Sequence, residues 1–285
     1  MSSLYSAGEL KKICAQYRFH PSHDRGQNFL IDEKVARETI HAARLHLDDE
    51  VIEVGPGFGA LTFGLAKQAR RVTAVEIEPK LVQFLKSELA RQKIKNVEVI
   101  ERDFIGWLNS QMVTLLHCHK VKRLSIVASL PYSITSDFFS SVLKDDRLPK
   151  RLVLILQKEV AERLAARPPY MSLLSVVAQW FGRVEMVRFI PRSAFWPMPA
   201  VESALVKIDL HDSFVLARRN GIKSETFLHF IKPAFRFPRR KILNTINISV
   251  DLRSNPRSSA FIERRPGELS LDDWTMLYTT KYGAI

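Results

Sequence analysis

Short apolar runs rich in β-branched residues recur along the first three quarters of the chain, at residues 51–54, 72–75, 97–100, 124–128, 152–156, 184–187 and 204–208. The run 124–128 has the length and β-branched content of a buried strand. Between the runs lie stretches of helical period, such as 60–69, so the order strand, helix, strand predicts βαβ units and a largely parallel sheet. The strand-like runs stop near Leu210. From Ser224 onward the period changes: Phe227, Phe230, Ile231, Ala234 and Phe235 recur at three- and four-residue spacing, a further helix is expected over 239–248, and a last one begins near Ser270. The fold class read from this pattern is α/β, a Rossmann-like sheet with helices on both faces, followed by a small C-terminal all-helical domain. The expected boundaries are 1–210 and 211–285. No internal repeat or low-complexity segment interrupts the pattern.

The first βαβ unit carries a glycine turn, Gly55-Pro56-Gly57-Phe58-Gly59, and its second strand ends in Glu76, 21 residues after Gly55. Glycines at such a turn let the backbone approach a ligand closely, and an acid at this distance suits a ribose diol. The spacing is Gly-x-Gly-x-Gly, without the third glycine position of a dinucleotide site and without a Lys-Ser/Thr pair for phosphates. A nucleoside ligand lacking pyrophosphate fits better, and S-adenosylmethionine is one. The plainer alternative is a turn that only packs helix on sheet. The third strand ends before Asp103-Phe104, where Asp103 can bind the amine of an adenine and Phe104 pack on its ring, or Asp103 can simply cap a helix; the two roles are compatible.

The run 124–128 leads into Ser129-Leu130-Pro131-Tyr132. Pro131 forces the chain out of the strand, and the Ser129 hydroxyl and Leu130 carbonyl can accept hydrogen bonds from an exocyclic amine while Tyr132 stacks on an extruded base. Read alone, the tetrapeptide is equally an ordinary strand end with a half-buried tyrosine. Phe195, in a segment between prolines, is a candidate for the opposite stacking face or a core aromatic beside Trp196.

Charge narrows the partner. A net charge of +13 on 285 residues draws polyanions, either nucleic acid or an anionic membrane surface. No apolar run reaches the ~20 residues that span a bilayer, and the N-terminus lacks a signal-peptide core, so a soluble cytoplasmic protein is expected. Cys14 and Cys118 are the two cysteines; they give neither a disulfide framework nor ligand spacing, and no metal is expected. A basic arm with Lys11, Lys12, Arg18 and Arg25 precedes Gly26. The segment Phe235-Arg236-Phe237-Pro238-Arg239-Arg240-Lys241 interleaves cations with aromatics, which suits phosphate contacts or a solvated turn.

Taken in order, several motifs resemble the ribosomal RNA adenine N6-dimethyltransferases: Gly26-Gln27-Asn28-Phe29-Leu30, Glu53-Val54-Gly55-Pro56-Gly57, Glu76, Asp103, Ser129-Leu130-Pro131-Tyr132, Leu156-Gln157-Lys158-Glu159-Val160, Ser172-Leu173-Leu174-Ser175-Val176, Pro191-Arg192-Ser193-Ala194-Phe195, and Ala234-Phe235 followed by Arg239-Arg240-Lys241. The resemblance runs from about Gly26 to about Tyr278. It implies S-adenosylmethionine as cofactor, held by Asn28, Leu30, Gly55, Gly57, Glu76, Asp103 and Ser129, and catalysis by Ser129, Leu130, Pro131 and Tyr132 with Phe195. It implies RNA contacts by Arg236, Arg239, Arg240 and Lys241. The implied substrate is small-subunit (16S) rRNA in a 30S pre-ribosomal particle, dimethylated on two adjacent adenosines near its 3′ end, and the family suggests a monomer. The family motif usually opens on Asn where this chain has Ser129, which keeps a hydroxyl acceptor on a shorter arm and leaves more of the positioning to the Leu130 carbonyl. The alternatives are a large-subunit rRNA adenine methyltransferase, a non-catalytic assembly or RNA-binding factor on the same fold, and a small-molecule methyltransferase.

Overall fold

The computed structural model describes residues 2–22, 25–117, 124–130, 134–143, 149–210, 221–247, 254 and 256–283. Its strands are β1 (Phe29–Leu30), β2 (Glu50–Val54), β3 (Arg71–Glu76), β4 (Val97–Glu101), β5 (Leu124–Ser129), β6 (Arg151–Gln157), β7 (Arg183–Ile190), β8 (Phe195–Trp196) and β9 (Ser203–Asp209). Its α-helices are α1 (Ala7–Gln16), α2 (Glu33–Ala42), α3 (Thr62–Ala66), α4 (Pro79–Arg91), α5 (Phe104–His117), α6 (Thr135–Val142), α7 (Lys158–Leu164), α8 (Leu173–Phe181), α9 (Ser224–Arg236), α10 (Pro256–Ile262) and α11 (Leu271–Tyr282). Every strand expected from an apolar run is present.

Seven strands form one sheet in the order β4-β3-β2-β5-β6-β9-β7, with β4, β3, β2, β5 and β6 parallel. The strand order reverses between β2 and β5, so a crevice opens outside the carboxyl ends of those two strands, where ligands of open α/β sheets bind. A separate two-stranded sheet pairs β1 antiparallel to β8, placing Leu30 opposite Phe195.

Contacts divide the chain into two compact units. The first holds Met1–Ala161 and Met186–Lys207, the second Glu162–Glu185 and Ile208–Ile285. A single cut after residue 210 does not reproduce this grouping. The reason is a tryptophan: Trp180 of α8 stacks on Phe227 of α9 with centroids 3.9 Å apart, and its Nε1–H donates to Ser224 Oγ at 2.8 Å. That pair draws α8 into the helical unit, where Tyr278 of α11 donates to Thr226 at 2.8 Å and completes the aromatic core.

In the first unit, α4 starts on Pro79, whose missing N–H costs nothing at that position, and buries Leu81, Val82, Phe84, Leu85 and Leu89 at helical spacing. These side chains meet Leu10 and Cys14 of α1 together with Phe19, Phe58 and Phe63. The basic stretch before Gly26 therefore begins as a packed helix rather than a free arm. A second difference lies at 239–248, where the described residues form a short 3₁₀ turn, Ile242–Asn244, in place of a helix. The Asn244 and Thr245 N–H groups donate to the Lys241 and Ile242 carbonyls, the three-residue bonding of a 3₁₀ turn, and the Ile242 N–H goes to the Arg264 carbonyl.

Candidate active site

Where the sheet order reverses, a cavity of about 650 Å³ is lined by Gly26–Leu30, Glu53–Phe58, Glu76, Ile77, Arg102–Phe104 and Ser129. The volume falls in the range of sites that hold a nucleoside-sized ligand. Asn28, Leu30, Gly55, Gly57, Glu76, Asp103 and Ser129, chosen from sequence alone, are all on its wall.

Gly55 and Gly57 have φ of +65° and +57°, a region L side chains avoid. A Cβ on Gly55 would meet no protein atom within 4 Å, so its backbone stands bare toward the cavity, whereas one on Gly57 would sit 2.9 Å from the Phe29 ring. Glu76 ends β3 with 6% of its surface exposed. Its Oε2 accepts from the Gly57 N–H at 3.0 Å, and its Oε1 from the Ile77 and Glu78 N–H groups, each at 3.0 Å. Burial raises its pKa, and those three amides oppose the rise. With about four lone-pair sites on a carboxylate, roughly one is left for a ribose hydroxyl, a tighter fit than an open bidentate grip.

Asp103 takes the capping role and also stands on the cavity wall. Its Oδ2 accepts the Gly106 N–H at 2.8 Å and caps α5, leaving the other oxygen for an adenine amine. Phe104 beside it is buried, stacked on Phe138 with centroids 5.8 Å apart.

Glu53 belongs to the site and carried no role in the sequence reading. It is 2% exposed, and its Oε2 and the Thr62 hydroxyl are both buried without a hydrogen-bond partner. Burial pushes its pKa up to about 8; the nearby Thr62 hydroxyl opposes this, although the geometry meets no hydrogen bond between them, and the Glu76 carboxylate adds to it. The signal was available as an acid in an otherwise apolar strand, residues 51–54.

A second, smaller cavity of about 30 Å³ adjoins the first. Gly26, Asn28 and Ser129 line both; Leu130, Ile155, Leu156, Phe195, Pro199 and Ser203 line only the small one. The Leu130 N–H is tied to the Ile155 carbonyl at 3.1 Å, and the β1–β8 pairing holds Phe195 in place. Phe195 is 4% exposed, so it is a core aromatic that also borders the cavity. Pro131 and Tyr132 lie outside the described residues.

The fit to S-adenosylmethionine rests on these features: a bare glycine backbone, a positioned acid for a ribose, a second acid for an adenine amine, and an orphaned buried carboxyl suited to an ammonium group. Comparison with known proteins decides the matter. Residues 19–263 match the family model of the ribosomal RNA adenine dimethylases.

The chain belongs to the ribosomal RNA adenine dimethylase family.

Its chemistry is therefore S-adenosylmethionine-dependent methylation of adenine in rRNA. Among its relatives, a protein of Geobacillus thermodenitrificans called ribosomal RNA small subunit methyltransferase A is 34% identical over 93% of this chain and 88% of its own length. One of the same name from Alkaliphilus metalliredigens is 31% identical over 97% of each. Among solved structures, a dimethyladenosine transferase from Plasmodium falciparum shares the fold, with a TM-score of 0.70 and 23% identity over 90% of this chain and 98% of its own. The 23S rRNA methyltransferase ErmE gives 0.68 and 26% over 89% and 99%. The expected fold class, cofactor and reaction hold.

Arg236, Arg239, Arg240 and Lys241 all belong to the second unit. They are exposed, with Arg240 4.7 Å and Arg236 5.9 Å from the Phe237 ring centroid and Lys241 paired to Glu263 at 2.8 Å. Among the described residues no group of three acidic, histidine or cysteine side chains could hold a metal ion, and no helix is long and apolar enough to cross a membrane.

Proposed function

We propose that this dimethylase acts on the small subunit, converting two adjacent adenosines near the 3′ end of its rRNA to N6,N6-dimethyladenosine while the particle is being assembled. The support is that the relatives matching nearly the whole chain bear small-subunit names. We also place it in the cytoplasm as a monomer, with Arg236, Arg239, Arg240 and Lys241 against RNA phosphates.

The observation that carries the mechanism is the sharing of Gly26, Asn28 and Ser129 between the two cavities, which joins a nucleoside site to a place for the target amine. Bound S-adenosylmethionine supplies an electrophilic methyl group on a sulfonium. The N6 lone pair of adenine is delocalised into its ring, so the chain's task is to favour a pyramidal nitrogen. The Ser129 hydroxyl and Leu130 carbonyl accept hydrogen bonds from its N–H groups, and Leu130, Leu156 and Phe195 keep water out. Holding the partners in line supplies much of the rate, and Tyr132 stacks on the base.

Methyl transfer from labelled cofactor to unmethylated small and large subunits, followed by mass analysis of the nucleosides, tests this reading. N6,N6-dimethyladenosine in the small subunit is expected. Product only in the large subunit would make it an ErmE-like enzyme, and cofactor binding without product would make it an assembly factor.

A further inference from the structure

Along the carboxyl edge of the sheet, beyond the small cavity, stands a group of side chains that the methyl-transfer chemistry does not use. Phe189 on β7, the last strand of the sheet, is 51% exposed, although its neighbour Ile190 is fully buried. Lys158 Nζ lies 5.2 Å from the centroid of its ring. The same lysine pairs with Glu202 at 2.9 Å, and its backbone N–H donates to the Glu202 carbonyl at 3.0 Å. Glu202 precedes Ser203, and Lys158 comes two residues after Leu156; both Ser203 and Leu156 are walls of the small cavity. Met198 and Val201, 56% and 43% exposed, sit in the loop that also supplies Pro199 to that wall.

This arrangement needs an explanation. A half-exposed phenylalanine near the end of an edge strand, with exposed Val187 two residues before it, is a surface that soluble proteins usually blunt. A lysine over a ring is weak compensation, since exposed cation–π contacts contribute little.

We propose that Phe189, flanked by Lys158, is a stacking platform for an unpaired base of the substrate RNA next to the target adenosine. The inference rests on the proposed RNA substrate and extends it to a second contact. Strands sit about 4.8 Å apart, and Ser129 on β5 is three strands from β7 in the sheet order. The platform is thus roughly 14 Å from the residue that receives the amine, within reach of a nucleotide or a few along the strand. A base extruded into a pocket leaves its neighbours unstacked at the mouth, where an aromatic face with a cation beside it replaces the lost stacking without reading sequence. Lys158 can swing from Glu202 to the adjoining phosphate, because both side chains of that pair are over two fifths exposed.

The test uses the full chain with Phe189→Ala and Phe189→Trp. Affinity for a fluorescent single-stranded adenosine-containing oligoribonucleotide is measured by anisotropy, KM and kcat are measured on unmethylated small subunits, and cofactor affinity is measured by calorimetry. By analogy with other base-stacking aromatics, Phe189→Ala should weaken oligonucleotide binding roughly 5- to 150-fold and raise KM in parallel, with cofactor affinity unchanged. Phe189→Trp should restore both. Unaltered RNA affinity in Phe189→Ala overturns the platform, as does a loss of cofactor affinity to the same extent, which would make Phe189 structural. A concentration-dependent dimer that Phe189→Ala abolishes would assign the face to a second copy and overturn it too. Oligonucleotide binding needs no turnover, so a wild-type protein inactive on small subunits would sink the substrate reading, while the oligonucleotide affinity of Phe189→Ala by itself supports or overturns the platform.

Discussion

Replacing Glu53 with glutamine should stabilise the free protein, and should do so more as pH rises. In the folded chain the Glu53 carboxyl is pushed from 4.5 up to about 8, chiefly by burial. Its folded pKa is raised, so the protonated group suits the fold below the unfolded value near 4.5, and stability is lost as pH climbs from there toward 8. Integrating that linkage with 1.36 kcal/mol per pKa unit, the native state gives up about 1 kcal/mol by pH 5, about 3 by pH 7 and about 4 by pH 8. Glutamine is nearly isosteric and never ionises. Urea unfolding of both proteins at pH 5, 7 and 8 should show Glu53→Gln ahead by a margin that widens with pH on this scale, with the same m-value. A second arm follows from the proposed ammonium partner. At pH 7 cofactor binding to the wild type should release close to one proton, seen as buffer-dependent heat in calorimetry, and Glu53→Gln should bind more weakly without that release. Parallel stability curves for the two proteins across this pH range would show that Glu53 titrates normally, and the reasoning about its burial would be wrong.

Glu76→Ala should weaken cofactor binding by about 1–3 kcal/mol, since it removes the ribose contact and frees three backbone amides; unchanged calorimetric affinity would remove Glu76 from that role. Gly57→Ala should cost stability on the order of 1–2 kcal/mol in urea, through its positive φ and the contact with Phe29, and a neutral result would mean the turn relaxes freely. Ser129→Asn should speed the second methylation relative to the first, read as the ratio of dimethyl to monomethyl nucleoside with time; an unchanged ratio would show that the shorter acceptor is not limiting. Neutralising Arg239, Arg240 and Lys241 together should flatten the salt dependence of RNA binding by up to about three charges' worth of slope, and an unaltered slope would place the cluster outside the footprint.

What could be read before the structure, and what could not, divides along a physical line. Short apolar runs, a glycine turn and an acid at fixed spacing are local patterns, and they located β2, β3, Gly55, Gly57 and Glu76. The membership of α8 in the helical unit depends on one non-local pairing, Trp180 with Phe227, which no window of sequence contains. The N-terminal stretch carries exposed charges around Leu10 and Cys14, and its packing becomes visible only once Phe58, Phe63 and Phe84 are brought beside it. The 3₁₀ turn that stands in place of the expected helix over 239–248 is tied to Arg264, whose carbonyl takes the Ile242 amide from far along the chain.

Glu53 joins these two kinds of information. Its place in a strand of apolar residues is plain in the sequence, but its burial is not. A buried carboxyl with one unpaired oxygen is unfavourable for folding alone, and structural economy would have put glutamine or a hydrophobe at that position. A cation supplied on its open side would offset that cost, and Glu53 stands on the cavity wall. A group unfavourable for folding alone thus points to the charge of the ligand that would offset its cost.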